Sequence, residues 1–284
     1  MPAGLPTAGS FGAPRRTDVA RERRSTRRRH FEKGSNVLRS APARGASGCA
    51  YGQHLRWSDP TCTDAASLLR LVGRLYLLVN SSGQVVETFA DSSINGPWDM
   101  TALDRGTSAV LFVTNVLNNI GSVASPNGFV SRITLSIPAG SIPSISSEAL
   151  IATGFNTRTD MAALVIGPTG VGLGADGTLY VADTLDNQIV PILNALTSPT
   201  IGMPFTTAGL NGPLGLVIAP NGNIVVVNSL DGNMVEVTPG GTQVAIKSVD
   251  VTGVGAGDLF GLAIRDDKGV YFVNDGNNTL DLLH

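Results

Sequence analysis

Residues 167–192 read GPTGVGLGADGTLYVADTLDNQIVPI, and this stretch recurs twice along the chain. Residues 212–237 read GPLGLVIAPNGNIVVVNSLDGNMVEV, and residues 259–283 read LFGLAIRDDKGVYFVNDGNNTLDLL. A glycine occupies one position in all three copies, and a polar residue follows it by 13 positions. The pairs are Gly170 and Asp183, Gly215 and Asn228, and Gly261 and Asn274. Matching copies at a period of about 45 residues are typical of β-propeller blades.

Each copy predicts two short apolar strands joined by a tight turn. A glycine ends each turn dipeptide, where it accepts positive φ at no steric cost. The dipeptides are Asp176-Gly177, Asn221-Gly222 and Lys268-Gly269. The second strand is apolar at consecutive positions, which indicates a sheet covered on both faces. The pattern therefore predicts an all-β propeller of four-stranded antiparallel blades.

A degenerate fourth copy begins at Gly96-Pro97-Trp98 and contains a strand that ends at Asn115. An insertion, residues 122–129, and strands near 130–137 and 149–152 enlarge this copy. Before it, residues 72–90 are typical of a hairpin and form a blade fragment. The prediction is thus four to five blades of the six-bladed type, with blades beginning near residues 96, 167, 212 and 259 of a domain spanning residues 65–284.

This inventory falls short of a closed ring, since six blades need on the order of 270 residues. Either the first blades are missing, or strands from another molecule close the ring, or the arm contributes strands. The copy at residue 259 supplies three strands, and residues 84–89 are the candidate for the strand that completes it. An open ring exposes sheet edges and a blade face. We therefore expect self-association through an open blade edge.

Residues 1–64 form a basic segment rich in Pro, Gly, Ala, Ser and Arg. Residues 1–70 carry 13 Lys and Arg against 5 Asp and Glu, whereas the remainder carries 7 against 17. Little apolar surface predicts a disordered arm. The arginines of residues 15–29 would be solvated, or would bind nucleic acid or an anionic surface. An organellar transit peptide and a segment foreign to the fold are the other interpretations.

Neither a membrane span nor an export signal is predicted. The best apolar run, residues 65–79, is short and interrupted by Arg70 and Arg74. Residues 1–20 lack the continuous apolar core of a secretory signal. Cys49 and Cys62 lie outside the repeats, and the sequence leaves open whether they pair.

The pattern GPxG…DGxLYVADTxxNxI resembles NHL repeats and the related six-bladed, TolB-like propellers, from Gly96 to the end of the chain. This superfamily includes regucalcin and the gluconolactonases. The resemblance implies the fold and an exported or periplasmic protein, and it leaves the activity open.

The lactonases of this superfamily hold a divalent metal on the propeller axis. The resemblance implies that the positions of the metal ligands of the lactonases correspond to Asn95, Thr169, Leu214 and Phe260 in this chain. Two of these are apolar, whereas a hard cation such as Ca²⁺ needs several oxygen ligands. No cofactor is therefore expected, and Ca²⁺ is the one cation left open, with Asp186 and Asp231 as weak metal candidates.

Two lyase families of similar architecture, the streptogramin lyases and the peptide-amidating lyases, need histidine as a base or metal ligand. The only histidines are His30, His54 and His284, which lie in the arm and at the terminus. No catalytic residue is predicted.

Polar residues follow the second strand of each copy and form the candidate ligand-binding set. They are Asn115, Asp183, Asn228 and Asn274. They either form a polar rim for a small ligand or bond the backbone of their own loops, as Asn and Asp do in turns. Trp98 and Asp99 lie at the mouth of the degenerate blade, where an indole beside a carboxylate suits carbohydrate contact, although a core Trp is the alternative.

The sequence therefore favours a non-catalytic binding or scaffold module for a small molecule, a carbohydrate or a protein. Nucleic acid is not an expected partner of the propeller, and the basic arm is the one segment that could bind it. The alternative function is a divergent lactonase-like or lyase-like enzyme with a metal on the central axis, using Asp183, Asp186 and Asp231.

Overall fold

The computed structural model of the chain describes residues 68–72, 75–80, 82–90, 93–161, 164–250, 259–265 and 268–284. Of residues 68–72, 75 and 76 it describes the backbone alone. The predicted arm and both cysteines lie outside the described residues.

The described residues form five antiparallel sheets, which we name the N-terminal sheet and blades A to D. The N-terminal sheet consists of β1 (Leu68–Val72), β2 (Leu75–Val79) and β3 (Val85–Ala90). Blade A consists of β4 (Pro97–Asp104), β5 (Ser108–Asn115), β6 (Ser125–Ser136), β7 (Ser144–Asp160) and β8 (Leu164–Ile166). Blade B consists of β9 (Pro168–Leu173), β10 (Leu179–Asp183), β11 (Gln188–Leu193) and β12 (Thr200–Ile201). Blade C consists of β13 (Pro213–Ile218), β14 (Ile224–Asn228), β15 (Asn233–Val237) and β16 (Gln243–Ser248). Blade D consists of β17 (Leu259–Arg265), β18 (Gly269–Asn274) and β19 (Thr279–Leu283).

The predicted all-β propeller is confirmed. The inner strands β4, β9, β13 and β17 pack against one another in chain order. Each predicted turn glycine has a positive φ, namely +83° at Gly177, +84° at Gly222 and +117° at Gly269. These turns reverse the chain between the first and second strand of each blade.

The apolar second strands are buried on both faces because a blade packs on each side. In β10, Leu179 and Val181 join the core between blades A and B. Tyr180 and Ala182, which alternate with them, join the core between blades B and C. Successive side chains of a strand point to opposite faces. A strand covered on both faces therefore has apolar residues at consecutive positions of its sequence.

The prediction that residues 84–89 complete the last blade is wrong. β3 pairs with β2, with Leu78 opposite Glu87, and belongs to the N-terminal sheet. In the described residues, blade D accordingly keeps three strands, with β19 at its edge. A hairpin partner a few residues away closes with less loss of chain entropy than a partner at the far end of the domain.

The insertion predicted at residues 122–129 lies in the longer connection of blade A, where Asn115 pairs with Phe129, whereas Asp183 pairs with Gln188 at the equivalent position of blade B. β6 begins at Ser125 and pairs with β7 along its length, with Phe129 opposite Thr153. Blade A is therefore enlarged by one long hairpin, and β8 adds a fifth strand.

Residues 68–72 and 75–79, which fall within the apolar run 65–79, form the two strands of a β-hairpin. In the described part of the chain, no helix is long and apolar enough to cross a membrane.

Candidate functional site

Each inner strand of blades A to D carries a β-bulge near its start. In blade B, Pro168 pairs with Asp183 and Val171 with Val181, so two residues lie opposite one. The register breaks at the same place in the other blades. The bulged pairs are Trp98 with Asp99, Thr169 with Gly170, Leu214 with Gly215, and Phe260 with Gly261. A bulge redirects side chains, and here it brings one pair from each blade together.

The bulges line one narrow axial cleft. Its wall is formed by Trp98, Asp99, Gly170, Leu214, Gly215, Phe260 and Gly261. The free space in the cleft, about 10 Å³, is about what one water molecule needs. A larger ligand would therefore contact the mouth of the cleft and not its interior.

The repeat glycines allow successive blades to approach this closely. A Cβ on Gly170 would lie closer than 3.0 Å to the backbone of Leu214 and Leu216 in blade C. A Cβ on Gly215 would lie closer than 3.0 Å to the backbone oxygen of Phe260 in blade D. The sequence period identified these positions, and the packing of the blades explains them.

Asp99 occupies the bulge position that is glycine in the other blades. Met100 N donates to its Oδ1 (2.8 Å), and Val171 N of blade B donates to its Oδ2 (3.2 Å). The carboxyl thus joins two blades. Burial raises the pKa of Asp99 to about 7, against the lowering effect of these two amides. An acid that titrates near neutrality beside an indole is a candidate for binding or proton transfer.

All four predicted loop residues, Asn115, Asp183, Asn228 and Asn274, are buried, with at most 2% of their surface exposed. Each ends the second strand of its blade, and none lines the cleft. Their bonds go to the surrounding loops: Asn95 N donates to Asn115 Oδ1 (2.8 Å), and Asn228 Nδ2 donates to Gly209 O (2.8 Å). In the described residues, Asp183 Oδ1 and Asn228 Oδ1 are buried without a hydrogen-bond donor.

The two metal candidates, Asp186 and Asp231, lie three residues after Asp183 and Asn228. In blade C, Asn228 Nδ2 donates to Asp231 Oδ1 (3.0 Å) and Oδ2 (3.3 Å). Blade B places two carboxyls where blade C has an amide and a carboxylate. Burial raises the pKa of Asp183 to about 6, and the charge of Asp186 adds to this, against a hydrogen bond from Gln188.

The residues at the expected metal positions do not fit a hard cation. Leu214 and Phe260 line the cleft, and their side chains carry no oxygen that could bind a cation. The hydroxyl of Thr169 bonds Thr184 Oγ1 (2.7 Å) and Leu214 O (2.9 Å). Within the part of the chain that the structure describes, no three His, Cys, Asp or Glu side chains are grouped to hold a metal ion.

Threonine hydroxyls also join the blades, and the repeat pattern did not indicate them. Thr114 Oγ1 donates to Thr169 O (2.7 Å), and Thr184 Oγ1 donates to Pro213 O (2.7 Å). Thr114 directly precedes Asn115, and Thr184 directly follows Asp183. These threonines do not recur in the other copies, so a search for repeated positions passes over them.

The loops after the second strands share a left-handed residue four positions beyond the polar residue. These residues are Asn119, Asn187, Gly232 and Asn278, with φ between 48° and 66°. Asn and Gly adopt this conformation at low cost. Asn187 also joins two blades, because its Nδ2 donates to Leu210 O (3.0 Å) and its Oδ1 accepts from Gly212 N (2.8 Å).

Asn187→Ala is expected to lower the free energy of unfolding by about 2 kcal/mol, because it removes two hydrogen bonds and places alanine at a positive φ that asparagine tolerates better. Asn187→Gly keeps the backbone conformation and loses the bonds alone, so its loss should be smaller. Urea unfolding of the two variants checks this. Equal losses would show that the backbone conformation contributes nothing.

No protein-family model matches the chain, and no curated protein sequence matches it. Among solved structures, a putative gluconolactonase superposes with a TM-score of 0.51 at 16% identity, covering 80% of this chain and 78% of that chain. A catalytically inactive virginiamycin B lyase from Staphylococcus aureus, solved with quinupristin, gives a TM-score of 0.49 at 13% identity over 85% and 71% of the two chains. A calcium-binding regucalcin from Agrobacterium tumefaciens gives 0.42 at 14% identity over 79% and 82%. At these identities the likeness concerns the fold alone.

Proposed function

We propose that the chain is an NHL-type, TolB-like β-propeller that acts as a non-catalytic binding or scaffold module. The observation that carries this is the axial cleft, whose free space of about 10 Å³ holds about one water molecule. The apolar residues Leu214 and Phe260 line it at the positions where the resemblance places metal ligands. This chemistry favours recognition on the surface of the propeller over reaction inside it.

Trp98 and Asp99 are the proposed ligand contacts. Both are partly exposed and line the same cleft. An indole offers an apolar face to a sugar ring and the carboxyl accepts hydrogen bonds from hydroxyl groups, so a carbohydrate is the proposed ligand. The buried residues Asn115, Asp183, Asn228 and Asn274 would support the surrounding loops through their hydrogen bonds.

The test is fluorescence titration of the Trp57→Phe variant, which leaves Trp98 as the single tryptophan. We expect one member of a panel of neutral oligosaccharides to shift the emission saturably. Trp98→Ala should weaken binding of the same sugar at least about tenfold by calorimetry. Exposed Leu230, 61% accessible on blade C, supplies the control Leu230→Ala, which should bind normally. A panel that leaves the emission unchanged would remove the carbohydrate proposal.

The alternative function is a divergent lactonase-like or lyase-like enzyme. The observation that favours it is the pKa of Asp99, which burial raises to about 7 in the cleft, since an acid that titrates near neutrality suits proton transfer. Turnover of a lactone panel, measured with and without Ca²⁺, tests this function. The enzyme alternative fails if alanine at Asp183, Asp186 and Asp231 leaves both cation binding and turnover unchanged and Asp99→Ala leaves turnover unchanged.

A further inference from the structure

The axial cleft combines one acidic residue with aromatic residues. Among the described residues that line it, Asp99 is the only charged one, and Trp98 and Phe260 are aromatic. Trp98 and Asp99 belong to β4 of blade A, whereas Phe260 belongs to β17 of blade D. All three residues are partly exposed. The chemistry that two blades bring to this cleft is therefore that of a site for a positively charged group.

Two backbone amides fix the position of the Asp99 carboxyl. Met100 N donates to its Oδ1 (2.8 Å), and Val171 N donates to its Oδ2 (3.2 Å). These hydrogen bonds favour the ionised form, and the low local dielectric strengthens the attraction of a carboxylate for a cation. A carboxylate has about four lone-pair sites, so it can bind a ligand while it accepts from both amides.

The loops at the same end of the blades add negative charge. Pro213, which begins β13, pairs with Asn228, which ends β14, so the loops after the second strands lie at the end of the blades where the bulges lie. These loops are residues 116–124, 184–187, 229–232 and 275–278. They contain no Lys or Arg, and their acidic residues are Asp186, Asp231 and Asp275. Arg158, near this end of β7, lies 3.5 Å from Asp160. This end of the propeller therefore attracts cations and repels anions.

We propose that the mouth of the cleft binds the ammonium group of an organic cation, which lies against the indole of Trp98 and pairs with the carboxylate of Asp99. A Trp ring attracts a cation within about 6 Å of its centre, and more strongly where water is excluded. The free space of about 10 Å³ keeps the ammonium group at the mouth. This ligand class rests on the proposed function, because it uses the same two contacts. It adds a positive charge to the hydroxyl groups of the proposed ligand, as in an amino sugar.

Choline and its uncharged carbon isostere, in which a tert-butyl group replaces the trimethylammonium group, test this ligand class. The two probes share their shape and their hydroxyl group and differ in charge. The full-length Trp57→Phe chain is titrated with each probe, and the emission of Trp98 is the signal. The pH is about 8, above the pKa of about 7 to which burial raises Asp99. We expect choline to have a dissociation constant at least about tenfold lower than that of the isostere.

Asp99→Asn should abolish this preference for choline, because it removes the charge and keeps the size of the side chain. The matched control is Asp176→Asn, which removes a charge from the turn at the opposite end of blade B. Blade C already has asparagine in that turn. Thr178 N donates to Asp176 Oδ1 (3.0 Å), as Asn223 N does to Asn221 Oδ1 (2.9 Å). Asp176→Asn should therefore fold normally and keep the preference.

Circular dichroism checks that both variants fold. If Asp99→Asn does not, Trp98→Ala replaces it and should weaken choline binding at least about tenfold by calorimetry. Equal affinities for choline and the isostere, or no choline binding, would overturn the proposal. So would a folded Asp99→Asn variant that keeps the preference, or an Asp176→Asn variant that loses it.

The two proposed ligand classes can fail separately. A chain that binds a neutral oligosaccharide and not choline would contradict the organic cation and leave the proposed function intact. A chain that binds choline and no neutral oligosaccharide would contradict the neutral carbohydrate alone.

Discussion

Gly215→Ala is expected to lower the free energy of unfolding by about 3 kcal/mol or more. The added Cβ would lie closer than 3.0 Å to the backbone oxygen of Phe260. A backbone oxygen cannot rotate away as a side chain can, so blades C and D must move apart and lose packing along the core they share. Gly170→Ala should lower the free energy of unfolding in the same way, because its Cβ would clash at the contact of blades B and C.

Gly121→Ala is the matched control, because an added Cβ there meets no atom within 4 Å and the backbone is outside the left-handed region. It should change the free energy of unfolding by less than about 0.5 kcal/mol. Urea unfolding monitored by circular dichroism measures all three variants. A Gly215→Ala variant as stable as Gly121→Ala would mean that the bulges are not in close contact in solution.

Asp183→Asn is expected to stabilise the propeller at neutral pH and to leave it little changed at pH 4. Burial and the charge of Asp186 raise the pKa of Asp183 from 3.8 to about 6. Between these values the folded chain holds a proton that the unfolded chain releases, so stability falls as pH rises from about 4 to about 6 and is level above. Asparagine does not ionise and escapes this loss, which corresponds to about 3 kcal/mol at most.

Blade C supports the substitution, because Asn228 already stands at the equivalent position and donates to Asp231. The measurement is the free energy of unfolding of wild type and variant at pH 4, 5, 6 and 8, each in denaturant. Asp186→Asn provides an internal control. With the neighbouring charge removed, Asp183→Asn should stabilise less, as coupled residues do. A variant that is less stable than wild type at pH 8 would contradict a pKa of Asp183 raised by burial.

Much of each blade could be predicted from the sequence, because its signals are local. The turn glycines and the apolar second strands act within one hairpin, and they recur in three copies. The hairpin of β2 and β3 was predicted in the same way, whereas the assignment of β3 to the last blade was wrong, since an edge strand suits any open sheet equally well on local grounds. Asp99 was hard to recognise as the counterpart of the repeat glycine for a further reason. Asn115 follows it by 16 positions, whereas the other copies have 13.

The same distinction between local signals and contacts of distant segments applies to the candidate site. The sequence by itself determined that the second strands end in polar residues and that one blade carries Trp98 and Asp99. Only the tertiary structure decided that the four strand-end residues are buried and that Asp99 lies in the axial cleft. Exposure and pKa depend on which blade covers a residue, and that covering comes from segments far away in the chain. The repeat therefore specifies a blade, and the packing of the blades specifies which of its polar groups can meet a ligand.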